Sequence, residues 1–377
     1  MHEAGSSLLH RIVGGPVPLR QDSDTGRAGL IVAYAADTIT RTAPTPVVDI
    51  EVVVAGRART LLLKLDGHSR WGSIKGRTGL ALLASIADQV SSRTTVVEST
   101  SGNLGVALAG ICRDLGIPFT AVVDSHLPPH LSARIAAYGA RTVDVESVDD
   151  GLHLHRRIAR VQEILDEDAD ARWTNQYENP ANVGVHRWWT GPELSRQLPP
   201  QVRALFAPVS TGGSFVGLRE HLSTHRPEVE CTAVDVQGST IFGGKLGHRL
   251  LTGIGASKPS VFIGERTPPR HVTVSDTEAI ATCRTLRRDV GIGIGGSSGA
   301  TLAGCLHYLS ERPDLTHVVC LCPDTAVNYA ETLYDDEWLR QAGIELPLRR
   351  PSIGGHDIHF ADRRSSGELV HPPRVPR

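Results

Sequence analysis

A chain of 377 residues has room for two domains of ordinary size, or for one α/β domain with a smaller partner. Its formal net charge of -2, from 39 basic and 41 acidic residues, gives no global field to recruit nucleic acid or an anionic membrane surface, so small-molecule ligands are expected. Six cysteines without a CxxC pair do not make a secreted disulfide framework, and neither an export signal nor an apolar run of the ~18 residues that a helical span needs is read, so a cytoplasmic protein is expected.

Residues 1–40 mix charges, glycines and short apolar pieces and read as an N-terminal extension, an arm onto a partner subunit, or both. From there, β-branched runs alternate with helical patterns: "TLLLKL" with "GLALLASIADQV", "TTVVEST" with "NLGVALAGICRDLG", "FTAVVD" with "LSARIAAYG", and "RTVDVE" with "HRRIARVQEIL". Gly116 and Gly139 stand where a helix must end in a left-handed residue before the next strand. The rhythm resumes with "ALFAPVS", "CTAVDV" and "HVVCLCPD", which predicts an α/β fold of parallel sheets flanked by helices. Residues 346–377, with "RRPS", "DRRSSG" and "HPPRVPR", hold little to bury and read as a disordered tail.

The loops after the strands hold the candidate chemistry, as expected of an open α/β sheet. "STGGS", Ser210 to Ser214, joins an apolar strand to a helix; its glycines let the backbone close on an anion at the helix N-terminus. It lacks the Gly-Lys-Ser/Thr ending of a triphosphate loop, and such turns also serve as plain connections. The run "GIGIGGSSGA" has spaced glycines but no acidic residue at the distance a dinucleotide fingerprint requires. Lys75, in "SIKGRT", opens a helix at a strand-to-helix junction, where a partly desolvated amine has a lowered pKa and can form a Schiff base. His153 and His155, two apart on a helix, face different ways, and Cys320 and Cys322 lie on one face of a strand that looks buried; no metal site is indicated. The Trp188-Trp189 pair opens a helix where packing or a subunit interface is the expected role.

Six stretches in order resemble the β-synthase group of fold type II pyridoxal-phosphate enzymes, which includes cysteine synthase and cystathionine β-synthase. "APTPVVDI" is similar to GNTPL, "GSIKGR" to GSVKDR, "STSGNLG" to TSGNTG, "NQYENPAN" with "TGPEL" to QFxNPAN with TGPEI, "STGGS" to GTGGT, and "GGSSGA" to GISSGA. The resemblance implies two lobes, each with a mainly parallel sheet, and pyridoxal 5'-phosphate in the cleft between them. Residues 41–70 and 180–345 would form the larger, cofactor-binding domain, and 71–179 a smaller mobile substrate domain.

The same resemblance implies that Lys75 carries the Schiff base and moves the Cα proton, and that Asn103 hydrogen-bonds the cofactor's phenolic oxygen. Ser99, Thr100, Ser101 and Gln176 would grip the substrate carboxylate; Ser210, Thr211, Gly212, Gly213 and Ser214 would cradle the phosphate. Ser297 would sit against the ring nitrogen, where a hydroxyl makes a weaker electron sink than a carboxylate partner and favours β-elimination to an α-aminoacrylate, followed by nucleophile addition. A homodimer is the family expectation.

Finer pieces, "ESTSGNLGVALA", "NQYENPAN", "APVSTGGS", "AVDVQGSTIFGG", "GIGAS" and "LYDDEWL", resemble the siderophore-pathway N-(2-amino-2-carboxyethyl)-L-glutamate synthases. In that branch the amine of L-glutamate adds to a skeleton from O-phospho-L-serine, toward 2,3-diaminopropionate. Arg249 is the candidate cation for the leaving phosphate, with Lys245 and Lys258 behind it, against the plainer reading of a solvent-paired loop arginine. The chain departs from the family at Gly76, where an aspartate is usual, at Ser69-Arg70-Trp71 in place of Asn-Pro-Gly, and at Ala326 and Asn328 in place of Gly and Arg of PDSGxRY. These departures leave O-acetyl-L-serine as donor, and sulfide or another specialised-metabolism nucleophile as acceptor, as alternatives. A serine or threonine dehydratase shares the fold, and a non-catalytic partner-binding homologue is the reading from a different class.

Overall fold

The computed structural model describes residues 2–15, 25–125, 127–146, 152–264 and 270–362. Two helices lead, α1 (His2–Val13) and α2 (Thr25–Arg41), followed by the antiparallel hairpin β1 (Val47–Val54) and β2 (Arg57–Leu65). Its two-residue turn, Ala55-Gly56, has positive φ at both positions, the twist that matches the flanking strands. After β2 the chain makes α3 (Lys75–Ser85) and enters a four-stranded unit. That unit holds β3 (Thr95–Ser99), α4 (Asn103–Leu115), β4 (Phe119–Val123), α5 (Pro129–Ala137), β5 (Arg141–Asp144), α6 (His153–Glu167) and β6 (Ala171–Trp173). Its sheet is parallel throughout, in the order β5-β4-β3-β6. Gly116 and Gly139 close α4 and α5 with positive φ, as their places in the sequence predict.

The chain then returns through α7 (Ala181–Val185), a π-helical turn over His186–Thr190 and α8 (Gly191–Gln197). There follow β7 (Ala204–Pro208), α9 (Gly213–His225), β8 (Glu230–Val236), β9 (His271–Val274), α10 (Asp276–Val290), α11 (Gly296–Glu311), β10 (His317–Cys322) and α12 (Asp336–Gln341). A two-residue-strand hairpin, β11 (Ser352–Ile353) and β12 (His356–Asp357), precedes β13 (Phe360–Asp362). The larger sheet runs β13-β1-β2-β10-β7-β8-β9, parallel from β2 to β9 and antiparallel at the β1 and β13 edge.

Apolar side chains cover both faces of the larger sheet. Ala204, Phe206, Val234 and Val236 pack under α10 and α11, while Leu205, Ala207 and Ala233 pack on the α9 side, which is why β7 reads as an unbroken apolar run. In the smaller sheet Val96, Ala121 and Val123 face α3 and α4, and Val97 and Val122 face α6. The described part of the N-terminal extension is two amphipathic helices. Ala28, Ile31, Ala35 and Ile39 recur at helical spacing on α2 and join Leu9 and Ile12 of α1 in the core of α3 and α4.

The sequence expectation for 346–377 needs correction. Residues up to 362 are built into the body: Ile353, Ile358 and Phe360 are buried, β13 pairs with β1, and Arg350 holds Asp289 at 2.7 and 2.8 Å. Three buried apolar residues among many polar ones suffice for an edge strand, and composition alone dilutes that signal. Residues 363–377 lie outside the described residues.

Candidate active site

Residues 66–74 carry the chain from the end of β2 to α3, and the segment is stitched to the end of β10: Ile74 N donates to Pro323 O at 2.8 Å, and Ser73 bridges Asp324. Lys75, the first residue of α3, therefore emerges beside β10 into a cavity of about 190 Å³ between the two sheets. It is partly buried, and burial lowers its pKa to about 8 against the opposing pull of the Glu98 carboxylate.

Just beyond Lys75, α3 is anchored by a buried ion cluster. Arg77 Nη2 donates to both oxygens of Glu193 at 2.8 Å, Lys64 Nζ meets Glu193 Oε1 at 2.5 Å, and Thr45 Oγ1 donates to Asp66. Arg77 also lies over the Trp189 ring at 4.8 Å, so Trp189 has a packing role. Next to the cluster sits His186, fully buried, whose Nε2 is 3.1 Å from Thr78 Oγ1 and from Ser214 Oγ and whose Nδ1 is 3.0 Å from Thr190 Oγ1. Burial, with the charges of Lys75 and Arg77, holds this imidazole neutral.

The "ESTSGN" loop leaves β3 and starts α4 at Asn103. Thr100 Oγ1 accepts from the amides of Gly102 and Gly105, both at 3.1 Å, which fixes the loop. Thr100, Ser101, Asn103 and Gln176 line the cavity. Ser99 does not: it is fully buried behind that wall, with its hydroxyl 3.1 Å from Tyr177 OH. Beneath the loop Glu98 accepts from Ser99 N, Trp173 Nε1, Thr174 Oγ1 and Gln176 N, tying the loop after β3 to the loop after β6. Burial raises its pKa to about 7.

Across the cavity, Ser210 and Thr211 line the wall and Gly212-Gly213-Ser214 start α9 behind them. Gly212 has φ 93°, and a Cβ there would come within 2.5 Å of Ser260 Oγ; one on Gly213 would come within 2.3 Å of Asn182 Oδ1. The loop is braced by Ser260 Oγ donating to Thr211 O at 2.6 Å and Asn182 Nδ2 donating to Thr211 Oγ1 at 3.1 Å. No side chain caps α9, which leaves the first amides of the helix without a side-chain acceptor, as an anion-binding helix start requires. Ser297, 2% exposed, lies on the second residue of α11 and also lines the cavity.

Arg249 reaches the cavity wall, but its Nη1 donates to Gly238 O at 2.7 Å, and Asp235 and Asp276 lie close enough to offset its charge. Lys258 lines the cavity and Lys245 is exposed outside it. The cation that the sequence reading missed is Arg157 on α6. It is 7% exposed, its Nε is 3.2 Å from Asp124 Oδ2, and its Nη1 is buried without a hydrogen-bond partner at the cavity wall. Nothing in the charged pattern of α6 singled it out from the half-buried Arg156 and Arg160. Asp324 was missed as well: burial raises its carboxyl pKa to about 6, it lines the cavity, and it accepts from Asn103 Nδ2 and Tyr329 OH, both at 2.7 Å.

Two of the departures explain each other. A Cβ at Gly76 would lie 2.5 Å from Trp71 Cε3, and one at Gly110 would lie 2.8 Å from Trp71 Nε1. The Trp71 indole fills the space into which a side chain at position 76 would point, so the large residue at 71 and the missing one at 76 form one packing solution.

The arrangement fits a phosphorylated aldehyde cofactor: a cradle too tight for a Cβ, a lysine amine of lowered pKa facing it, and a buried hydroxyl at Ser297. The family model described as pyridoxal-phosphate dependent enzyme matches residues 40–324. A curated relative, N-(2-amino-2-carboxyethyl)-L-glutamate synthase of Ralstonia nicotianae, is 36% identical over 317 residues, covering 82% of this chain and 94% of its own length. Among solved structures, the O-acetylserine dependent cystathionine β-synthase of Helicobacter pylori is similar with TM-score 0.71 and 25% identity over 78% of this chain and 97% of its own. An O-ureido-L-serine synthase is similar with TM-score 0.70 and 25% identity over 80% of this chain and 98% of its own.

The chain belongs to the pyridoxal-phosphate dependent enzyme family. Its fold is the fold type II architecture of the β-synthases, its cofactor is pyridoxal phosphate, and it is an enzyme of the cysteine synthase-like transferase group acting on small molecules. Among the described residues no helix is long and apolar enough to cross a membrane.

Proposed function

We propose that this enzyme replaces the β-substituent of an activated L-serine, O-phospho-L-serine or O-acetyl-L-serine, with the amine of L-glutamate, giving N-(2-amino-2-carboxyethyl)-L-glutamate for 2,3-diaminopropionate synthesis. The observation that carries this reading is the likeness, over 94% of its length, to a relative named for that product. The cavity supports it. A buried arginine with an unsatisfied N–H suits a substrate carrying an extra anionic group, whether the phosphate of the donor or the second carboxylate of the acceptor, since an unmatched buried donor is costly.

Pyridoxal phosphate, when bound, supplies the electron sink that acidifies the donor's Cα–H. Lys75 holds the cofactor and then removes and returns the proton at Cα, for which an amine of pKa about 8 is well matched to neutral pH. Asn103 would hold the phenolic oxygen, Ser297 the ring nitrogen, and Ser210 to Ser214 the phosphate. Thr100, Ser101 and Gln176 bind the substrate carboxylate, with Ser99 acting from behind through its carbonyl, which accepts from Gln176 Nε2 at 2.8 Å. Arg157, with Arg249 and Lys258 on the same cavity wall, neutralises the leaving group or the acceptor's side chain. The reading takes the enzyme as a cytoplasmic homodimer, the former in keeping with six unpaired cysteines.

The test is mass spectrometry of the products formed from O-phospho-L-serine by cofactor-loaded protein offered ¹⁵N-labelled L-glutamate and sulfide together. The labelled glutamate conjugate is expected. Cysteine as the main product, or pyruvate with no nucleophile incorporated, overturns the assignment.

A further inference from the structure

Asn328 stands where the family pattern has an arginine, and in the fold it joins the larger lobe to the smaller one. Arg134 Nη1, on α5 of the four-stranded unit, donates to Asn328 Oδ1 at 3.3 Å, and Asn328 Nδ2 donates to Asn103 Oδ1 at 2.9 Å. Asn103 Nδ2 then donates to Asp324 Oδ2 at 2.7 Å, which also accepts from Tyr329 OH. Asn328 itself is 2% exposed.

The polarity of this chain of bonds is set at its ends. A guanidinium can only donate, so the carboxamide oxygen of Asn328 must face Arg134 and its nitrogen must face Asn103. The oxygen of Asn103 is thereby committed to Asn328, and its nitrogen is turned toward Asp324, which an ionised carboxylate can accept. One hydrogen of Asn103 Nδ2 is used on Asp324 and the second remains over, on a residue that lines the cavity. An amide flipped by half a turn would present an acceptor there instead, and would set oxygen against the Asp324 carboxylate.

We infer that Asn328 is a positioning residue: held by Arg134, it locks the Asn103 carboxamide in the one orientation that offers an N–H to the cofactor's phenolic oxygen. This rests on the proposed role of Asn103, and it makes the asparagine that stands in place of the family pattern's arginine part of the cofactor site. It also ties that orientation to the seating of α5 against the larger lobe.

The experiment compares cofactor-loaded Asn103→Ala, Asn328→Asp, Asn328→Leu and Arg134→Met by the visible absorption spectrum of the bound cofactor, by its dissociation constant and by the thermal midpoint of each cofactor-free protein. Asn328→Asp keeps the shape and sets an acceptor against Asn103 Oδ1, so Asp324 alone is left to orient Asn103. Both Asn328 variants are expected to shift the absorption bands in the same direction as Asn103→Ala and to weaken cofactor binding about three- to tenfold, the scale of one hydrogen bond. In the double variant Asn103→Ala, Asn328→Leu, the second change adds nothing to the first, because its effect runs through Asn103. Arg134→Met, at a half-buried position, shifts the bands the same way and stands in if the Asn328 variants do not fold.

If Asn103→Ala changes the spectrum while the Asn328 and Arg134 variants leave it as in the parent, the positioning role is wrong and the role of Asn103 stands. A spectrum untouched by Asn103→Ala removes the role of Asn103, and this inference with it. Additive effects in the double variant overturn the inference too, since they show that Asn328 acts by another route.

Discussion

Burial lowers the pKa of Lys75 from 10.5 to about 8, and the Glu98 carboxylate works against that fall. At pH 7 about one amine in ten is then neutral, against about three in ten thousand for an ordinary lysine, a gain of roughly 300-fold in the form that can attack an aldehyde. The assay is the initial rate of cofactor incorporation into cofactor-free protein from pH 6 to 10. The rate should climb about tenfold per pH unit and level off near pH 8. Glu98→Gln removes the charge that raises the lysine's pKa, so its profile should level off at lower pH. The stability of the cofactor-free protein follows the same proton. Between about pH 8 and 10.5 the unfolded chain holds a proton on Lys75 that the folded chain has lost, so stability should rise with pH across that window. A rate that keeps climbing to pH 10, or a Glu98→Gln profile displaced upward, refutes the reasoning.

Further expectations concern packing and charge. Gly76→Asp should drive the new side chain into the Trp71 indole and cost about 1–3 kcal/mol in thermal or denaturant unfolding, and Trp71→Gly in the same chain should recover part of that loss; unchanged stability in the single variant contradicts the shared-packing account. Glu193→Ala leaves Lys64 and Arg77 buried with only the more distant Asp66 carboxylate and should cost about 3–5 kcal/mol, read by denaturant titration; a loss below about 1 kcal/mol would show the cluster to be solvated. Arg157→Leu should raise KM for the phosphate-bearing donor or for glutamate about 10- to 100-fold while cofactor absorption is unchanged; KM values unchanged from the parent for both substrates would remove Arg157 from the binding role.

The α/β alternation was legible because β3, β4 and β7 are buried on both faces and read as apolar runs separated by amphipathic helices. The edges were not. β1 is half-exposed and β13 is three residues long, so neither stands out by period. The cofactor loops were legible because glycines at 212 and 213 answer to a local need that shows in the sequence itself. The residues around them were hidden. Glu98, His186 and Asp324 each bond to at least one partner far along the chain, 75, 28 and 221 positions away, and Arg157 differs from Arg156 and Arg160 only in the direction it faces. Gly76 and Trp71 looked like two separate departures until the contact between them joined them.

If the cavity at Lys75 is the seat of the cofactor, the aldehyde carbon is bonded to that lysine. Borohydride reduction of the cofactor-loaded protein followed by peptide mass spectrometry tests it directly. The pyridoxyl adduct is expected on the peptide that contains Lys75, with no adduct in Lys75→Ala. An adduct on another lysine, or one that survives in Lys75→Ala at the parent's yield, would contradict it.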